Sequence, residues 1–147
     1  MKKEFIGIWL KTGILRNKQK DAEKISSLIA SAEINAKVTK SIKLNDDSAT
    51  LIFREIYEST RQLGDAKWWI LGYEPSNHEI SIEVLKEFDI KEKLELSSID
   101  RFKKIRHDIN YRGFRASVSQ AKEILEFWEK CGNEIILLLK KELKVQS

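Results

Sequence analysis

The chain has 147 residues and a mass of 17.2 kDa, which is enough for one domain with its own core. Apolar residues make up 41% of the chain and charged residues 34%, a composition that excludes a disordered or low-complexity chain. Few glycines, one proline and many Lys, Glu, Leu and Ile residues favour long helices over short strands. The net charge of +4 is concentrated in residues 101–115, where six Lys and Arg side chains accompany a single acid, Asp108.

Helical periodicity runs through most of the first half. Residues 1–20 are expected to form an N-terminal extension with a short apolar helix, and Asp21 to cap the first long helix. A second long helix is predicted from about Ser48 to Gly72, where glycine permits the backbone conformation that ends a helix.

In the second half, Ser76 begins an S-x-x-E capping box before a shorter helix. A further helix is predicted over residues 97–113, and Ser117 begins another capping box before a last helix over residues 118–143. Strong strand signals are absent. The sequence therefore predicts a single all-α domain, with an up-and-down antiparallel bundle of four to five helices over residues 21–143.

Several site types are excluded by what the sequence contains. The single cysteine, Cys131, excludes an intrachain disulfide and a cysteine-cluster zinc site, and its place on an apolar stripe predicts a core residue. No apolar run approaches the roughly 20 residues that cross a bilayer, and the N-terminal patch lacks a cleavage site. We therefore expect a cytoplasmic protein that binds no metal, no cofactor and no membrane.

The basic segment holds the candidate site. On a helical wheel, Arg106 and Asn110 border an apolar stripe, while Lys104, His107 and Tyr111 occupy the next sector. A guanidinium at the edge of a packed face can be held in place while its donors meet a phosphate. The alternative is a solvated basic face in which Arg106 pairs with a carboxylate of the bundle. The candidate phosphate- or nucleic-acid-binding residues are Arg101, Lys103, Lys104, Arg106, Asn110, Arg112 and Arg115.

Three segments of the chain resemble the HEPN superfamily (higher eukaryotes and prokaryotes nucleotide-binding domains), whose members are small bundles of four or five helices. The segments are residues 51–61 (LIFREIYESTR), 71–79 (LGYEPSNHE) and 105–113 (IRHDINYRG), and the resemblance spans about residues 20 to 140. The first two resemble a prokaryotic branch of the family. The third is similar to the family signature of an arginine, a polar residue, three more positions and a histidine.

The resemblance implies candidate catalytic residues. In members that are ribonucleases, the signature arginine and histidine act without metal in a cleft between two protomers. The arginine matches Arg106, the polar residue matches His107, and the histidine position holds Tyr111. A second register pairs Arg101 with His107, but it places them about 240° apart around the helix and loses the flanking matches. His78 also lies in a matching segment, where a local structural role at the helix start is expected.

The resemblance also implies partners, because many family members are toxins encoded beside a nucleotidyltransferase that neutralises them. A homodimer is expected for two reasons. The family cleft lies between protomers. The chain also has more large aromatic residues than a single core-facing stripe needs, namely Trp68, Trp69 and Phe127, so some of them are expected at an interface. Trp68 and Trp69 are adjacent on one helix, so one is expected in the core and the other partly exposed or at an interface.

Three functions remain open from the sequence. The first is a dimeric nucleotide- or RNA-binding partner of a nucleotidyltransferase in a toxin–antitoxin-like module, without efficient catalysis. The second is a metal-independent ribonuclease that uses Arg106 with His107 or Tyr111, and the third is a structural or interaction bundle. A phenol, with a pKa near 10, is a poorer general base at neutral pH than an imidazole, which favours the first function over the second. The basic segment disfavours the third.

Overall fold

The computed structural model describes residues 3–146, and the fold is an all-α helical bundle with one very small sheet. The predicted fold class is confirmed. In chain order the elements are α1 (Lys3–Lys11), β1 (Leu15–Asn17), α2 (Ala22–Lys40), α3 (Ala49–Leu71), β2 (Tyr73–Pro75), α4 (His78–Glu83), two 3₁₀ turns (Val84–Glu87 and Lys93–Ser97), α5 (Ser98–Arg112), α6 (Val118–Phe127), a π-helical turn (Trp128–Gly132) and α7 (Asn133–Gln146).

Local capping signals set several helix ends as the sequence predicts, although neither Ser48 before α3 nor Ser97 before α5 makes a side-chain capping hydrogen bond. The Asp21 carboxylate accepts a hydrogen bond at 3.0 Å from a backbone N–H in the first turn of α2. Ser117 forms a complete capping box with Gln120 at the start of α6. Gly72 and Gly113 follow α3 and α5 with φ of 95° and 67°, a left-handed conformation that costs glycine little.

The predicted capping box at Ser76 is wrong by one residue. Asn77 caps α4, and its side chain accepts a hydrogen bond at 2.7 Å from the backbone N–H of Glu79. The hydroxyl of Ser76 instead lies 2.9 Å from the carbonyl oxygen of Gly13 and 3.0 Å from that of Ile14. Ser76 therefore ties the segment before α4 to the N-terminal part of the chain.

A two-stranded sheet, which the sequence does not signal, joins this N-terminal part to the bundle. β1 and β2 pair antiparallel, with Leu15 opposite Pro75. Leu15 is buried in a small apolar cluster with Trp68, Ile80 and Val84, and part of α1 packs against the same cluster. Residues 3–17 are thus attached to α3 and α4 by strand pairing and by apolar contacts.

The core lies around α3, which packs against α2, α4, α5, α6 and α7. Trp68 and Trp69 are 0% and 8% exposed, so both are buried and the expectation that one of them is partly exposed is wrong. The indole N–H of Trp68 donates to the carbonyl oxygen of Ile80 at 2.8 Å, which satisfies the polar atom that burial would otherwise isolate. Phe127 is 2% exposed, so none of the three aromatic residues offered as a reason for a dimer is available at the surface.

The last predicted helix contains a π-helical turn, Trp128–Gly132, between α6 and α7. Cys131 in this turn is fully buried, as predicted, and burial raises the pKa of its thiol to about 12. The thiol therefore stays protonated and is a poor nucleophile at neutral pH. Within residues 3–146, no helix has the length and apolar character needed to cross a membrane.

Candidate functional site

A groove of about 370 Å³ opens where α5 passes α3 and the segment before α4. Aromatic, cationic and imidazole side chains from three elements share its walls. The residues that line it are Tyr57, Ser76, Asn77, His78, Glu79, Lys103, Arg106, His107 and Tyr111.

One face of α5 supplies most of the groove's functional groups. Lys103, His107 and Tyr111 recur at intervals of four residues, so they lie one above another on successive turns. The rings of His107 and Tyr111 are 4.9 Å apart between centroids and tilted by 45°. The helix is intact through Arg112, so His107 reaches the groove without any early end to α5.

Arg106 is a half-buried cation in the groove. Its guanidinium carbon lies 5.5 Å from the centre of the Tyr57 ring, a cation–π contact that restricts where the side chain lies. Among residues 3–146, no carboxylate comes within ion-pair distance of Arg106. The structure therefore does not show the carboxylate pairing that the alternative interpretation of the sequence requires, and the guanidinium donors are available to a ligand.

Tyr57 is the groove residue from α3, and its side chain is nearly buried. Burial raises the pKa of its phenol to about 12, although the nearby charge of Arg106 opposes this. The phenol therefore stays protonated throughout the neutral range, where it is a hydrogen-bond donor and not a base.

Acidic side chains partly neutralise the positive charge of the groove. The Lys103 ammonium lies 2.7 Å from a Glu83 carboxylate oxygen, and Glu79 lines the groove itself. Glu58 on α3 is electrostatically coupled to the groove. A hydrogen bond from Arg61 holds the pKa of Glu58 below its usual value, and the charges of His78 and Arg106 act in the same direction. Arg106 is therefore the cation best placed to receive an anion.

The other predicted binding residues lie outside the groove lining. Arg101 is paired with Glu123, and Arg115 donates to the backbone carbonyl oxygen of Asp47 at 3.1 Å. The guanidinium carbon of Arg112 lies 5.4 Å from the centre of the Phe114 ring. Lys104 and Asn110 are exposed on α5. Of the predicted site residues, the groove is thus lined by Lys103, Arg106, His107 and Tyr111. The other five lie outside it.

The groove also contains residues that helical spacing on α5 does not identify. Tyr57 and the residues 76–79 come from elements that are distant in sequence, and the fold brings them beside α5. His78 is the first residue of α4, and its exposed side chain lines the groove. The signal that could have found these residues is their position in the other two segments that resemble the HEPN superfamily.

The described part of the chain offers nothing that favours a metal centre, because residues 3–146 contain no cluster of three or more His, Cys, Asp or Glu side chains suited to hold a metal ion. Comparisons of the chain with models of known protein families, with curated proteins and with solved structures found no match.

Proposed function

We propose that the protein is an HEPN-like RNA- or nucleotide-binding bundle whose groove holds a phosphate at Arg106. The observation that carries the proposal is the environment of this arginine: it packs on the Tyr57 ring, lines a groove, and has no carboxylate within ion-pair distance among residues 3–146. A fixed guanidinium presents several donors in a plane that matches phosphate geometry.

The neighbours of Arg106 suit the same ligand. Protonated Tyr57 can donate a hydrogen bond, and Lys103 adds a positive charge that Glu83 partly neutralises. His78 and His107 can donate from a ring nitrogen in either protonation state. The groove is therefore built mainly of hydrogen-bond donors, which is what an anionic ligand requires.

The three segments that resemble the HEPN superfamily all contribute to this groove. Tyr57 comes from the first segment, His78 from the second, and Arg106, His107 and Tyr111 from the third. Residues that resemble one family in three separate segments and share one cavity support a common binding role.

Removing the Arg106 side chain should weaken binding of a short RNA or a nucleotide by about tenfold to a hundredfold, because a hydrogen bond to a charged group contributes roughly 1.5–3 kcal/mol. Arg106→Lys should fall between the wild type and Arg106→Ala, because lysine keeps the charge and loses the planar donors. Fluorescence anisotropy with labelled RNA, at several salt concentrations, measures this effect. Affinity should fall as salt rises, because bound phosphates release counterions.

The matched control is Arg54→Ala, which removes an exposed arginine of α3 that lies outside the groove lining. It changes the net charge by the same amount and should leave affinity nearly unchanged. If both variants lose the same affinity for RNA, binding depends on the overall positive charge and not on the groove. If the affinity changes neither in Arg106→Ala nor with salt concentration, the result would favour the third function, a structural or interaction bundle.

A homodimer and a nucleotidyltransferase partner belong to the same proposal, and they rest on the family resemblance alone. Light scattering over a wide concentration range should give about twice the chain mass of 17.2 kDa. If the protein is still a monomer at the highest concentration, the proposed cleft between two protomers would be wrong.

A metal-independent ribonuclease is the second candidate function, and one observation favours it. His78 and His107 both line the groove that holds Arg106, so two imidazoles, the side chains that most often act as general acids and bases, lie beside the proposed phosphate position. The opposing observation is that Tyr111 occupies the position of the signature histidine.

A further inference from the structure

Most of the large aromatic side chains are buried or half-buried, and two of the three exposed ones lie close together along the chain. Of the 13 Phe, Trp and Tyr residues, the exposed ones are Phe5, Tyr111 and Phe114, at 49%, 72% and 53%. Two of these three stand within the basic segment, at the end of α5. Single exposed apolar residues are common, but two exposed aromatic rings three residues apart in a basic segment form a candidate contact surface for a ligand.

Each of these two rings has a nitrogen-containing side chain beside it. The His107 ring is tilted against Tyr111, and the Arg112 guanidinium lies over Phe114. Arg115 follows directly and donates to a backbone carbonyl oxygen. Neither Arg112 nor Arg115 has a carboxylate within ion-pair distance among residues 3–146, so both positive charges are available to an anion.

The rings are also continuous with the groove along the chain. Tyr111 lines the groove, and Phe114 follows three residues later, beyond the left-handed turn at Gly113 that ends α5. Three residues of chain span at most about 11 Å. The backbone of Phe114 therefore lies within that distance of Tyr111, close enough for an extended ligand that passes Tyr111 to continue to Phe114.

We propose that residues 107–115 form a stacking platform that makes the groove selective for single-stranded RNA over duplex RNA and over a single nucleotide. The proposal rests on the phosphate site at Arg106 and names its ligand class. Bases of a single strand expose faces that can stack on Tyr111 and Phe114, while their phosphates meet Arg112 and Arg115. In a duplex the base faces are stacked on one another and cannot reach the rings. A single nucleotide is too short to contact both Arg106 and Phe114.

The charge pattern selects this occupant over an apolar protein partner. An apolar partner would have to remove Arg112 and Arg115 from water without pairing them, which is unfavourable. A polynucleotide supplies one phosphate for each base, so it pairs both arginines in the same contact that covers the rings.

The test compares binding of about 12 nucleotides of labelled oligouridine with duplex RNA of equal length and with uridine monophosphate, by anisotropy and by competition. Phe114→Ala should weaken oligouridine binding by about tenfold, while the change for the monophosphate should be small. Phe114→Trp should restore or strengthen it, because any aromatic face can stack. Phe114 is outside the core, so the variants should keep the wild-type melting temperature.

The matched control is Phe5→Ala, which removes the other exposed phenylalanine, on α1, and should leave oligouridine affinity unchanged. Loss of affinity in Arg106→Ala with no change in Phe114→Ala, or duplex binding as tight as single-strand binding, would overturn the platform and leave the phosphate site in place. Absence of binding by all three ligands would overturn the proposed function itself.

Discussion

Gly64→Ala should lower the free energy of unfolding by about 2–3 kcal/mol, although alanine is the better helix former by about 1 kcal/mol. A Cβ at this position of α3 would lie 1.9 Å from the carbonyl oxygen of Ser81 and 2.7 Å from its carbonyl carbon. Both atoms belong to the backbone of α4 and cannot rotate away, so the helices must separate. Thermal unfolding followed by circular dichroism should show a melting temperature lower by roughly 5–10 °C.

Gly7→Ala is the matched control, because a Cβ there meets nothing within 4 Å and should leave the stability unchanged or slightly higher. A shift of α4 in Gly64→Ala should also weaken RNA binding, since the residues at the start of α4 line the groove. A Gly64→Ala protein as stable as the wild type would show that α3 and α4 do not approach as closely as described.

Tyr111→His is expected to raise a weak or undetectable ribonuclease activity by about a hundredfold or more, which is the usual contribution of a positioned acid–base group. The substitution replaces a phenol, a poor general base at neutral pH, with an imidazole, which is a good one. Arg106 already lines the same groove, so the phosphate position and the new base would be neighbours. Cleavage of labelled RNA in the presence of a metal chelator measures the change.

Two control variants identify which group carries any activity. Tyr111→Phe should not raise cleavage, because it removes the hydroxyl without supplying a base. A wild type that cleaves efficiently, and that loses activity in His107→Ala while tolerating Tyr111→Phe, would establish His107 as the base and the protein as an enzyme. Activity lost in Tyr111→Phe would instead assign the role to the phenol, and inactivity of every variant would leave the binding function.

Much of the fold follows from local rules that the sequence displays. Asp21 and Ser117 start helices, and Gly72 and Gly113 end them, because capping depends on a few neighbouring residues. The small sheet is not predictable in this way. Each strand has three residues, too few for an alternating pattern, and their pairing depends on contacts between distant parts of the chain. Ser76 and Asn77 are both good caps, and the contact of Ser76 with the N-terminal segment decides between them.

The candidate site divides in the same manner. Spacing along one helix is enough to group His107 and Tyr111, because side chains four residues apart share a face. The helical wheel also places Lys104 with them, but the groove is lined by Lys103 instead. Spacing cannot tell that Arg106 packs on Tyr57, or that Arg101 is paired with Glu123, since those partners come from other helices. Tertiary packing, which periodicity does not encode, therefore separates the groove residues from the rest of the basic segment.

The pairing of β1 with β2 has a consequence for how this protein can be handled and varied. Ser76 both lines the groove and holds the backbone at Gly13 and Ile14, so the groove wall is anchored to the N-terminal segment. Shortening that segment, or attaching a bulky tag that strains it, would loosen the wall without changing any residue of the groove lining. Sequence changes in residues 3–17 are therefore a route by which the shape of the groove could be changed from outside its lining.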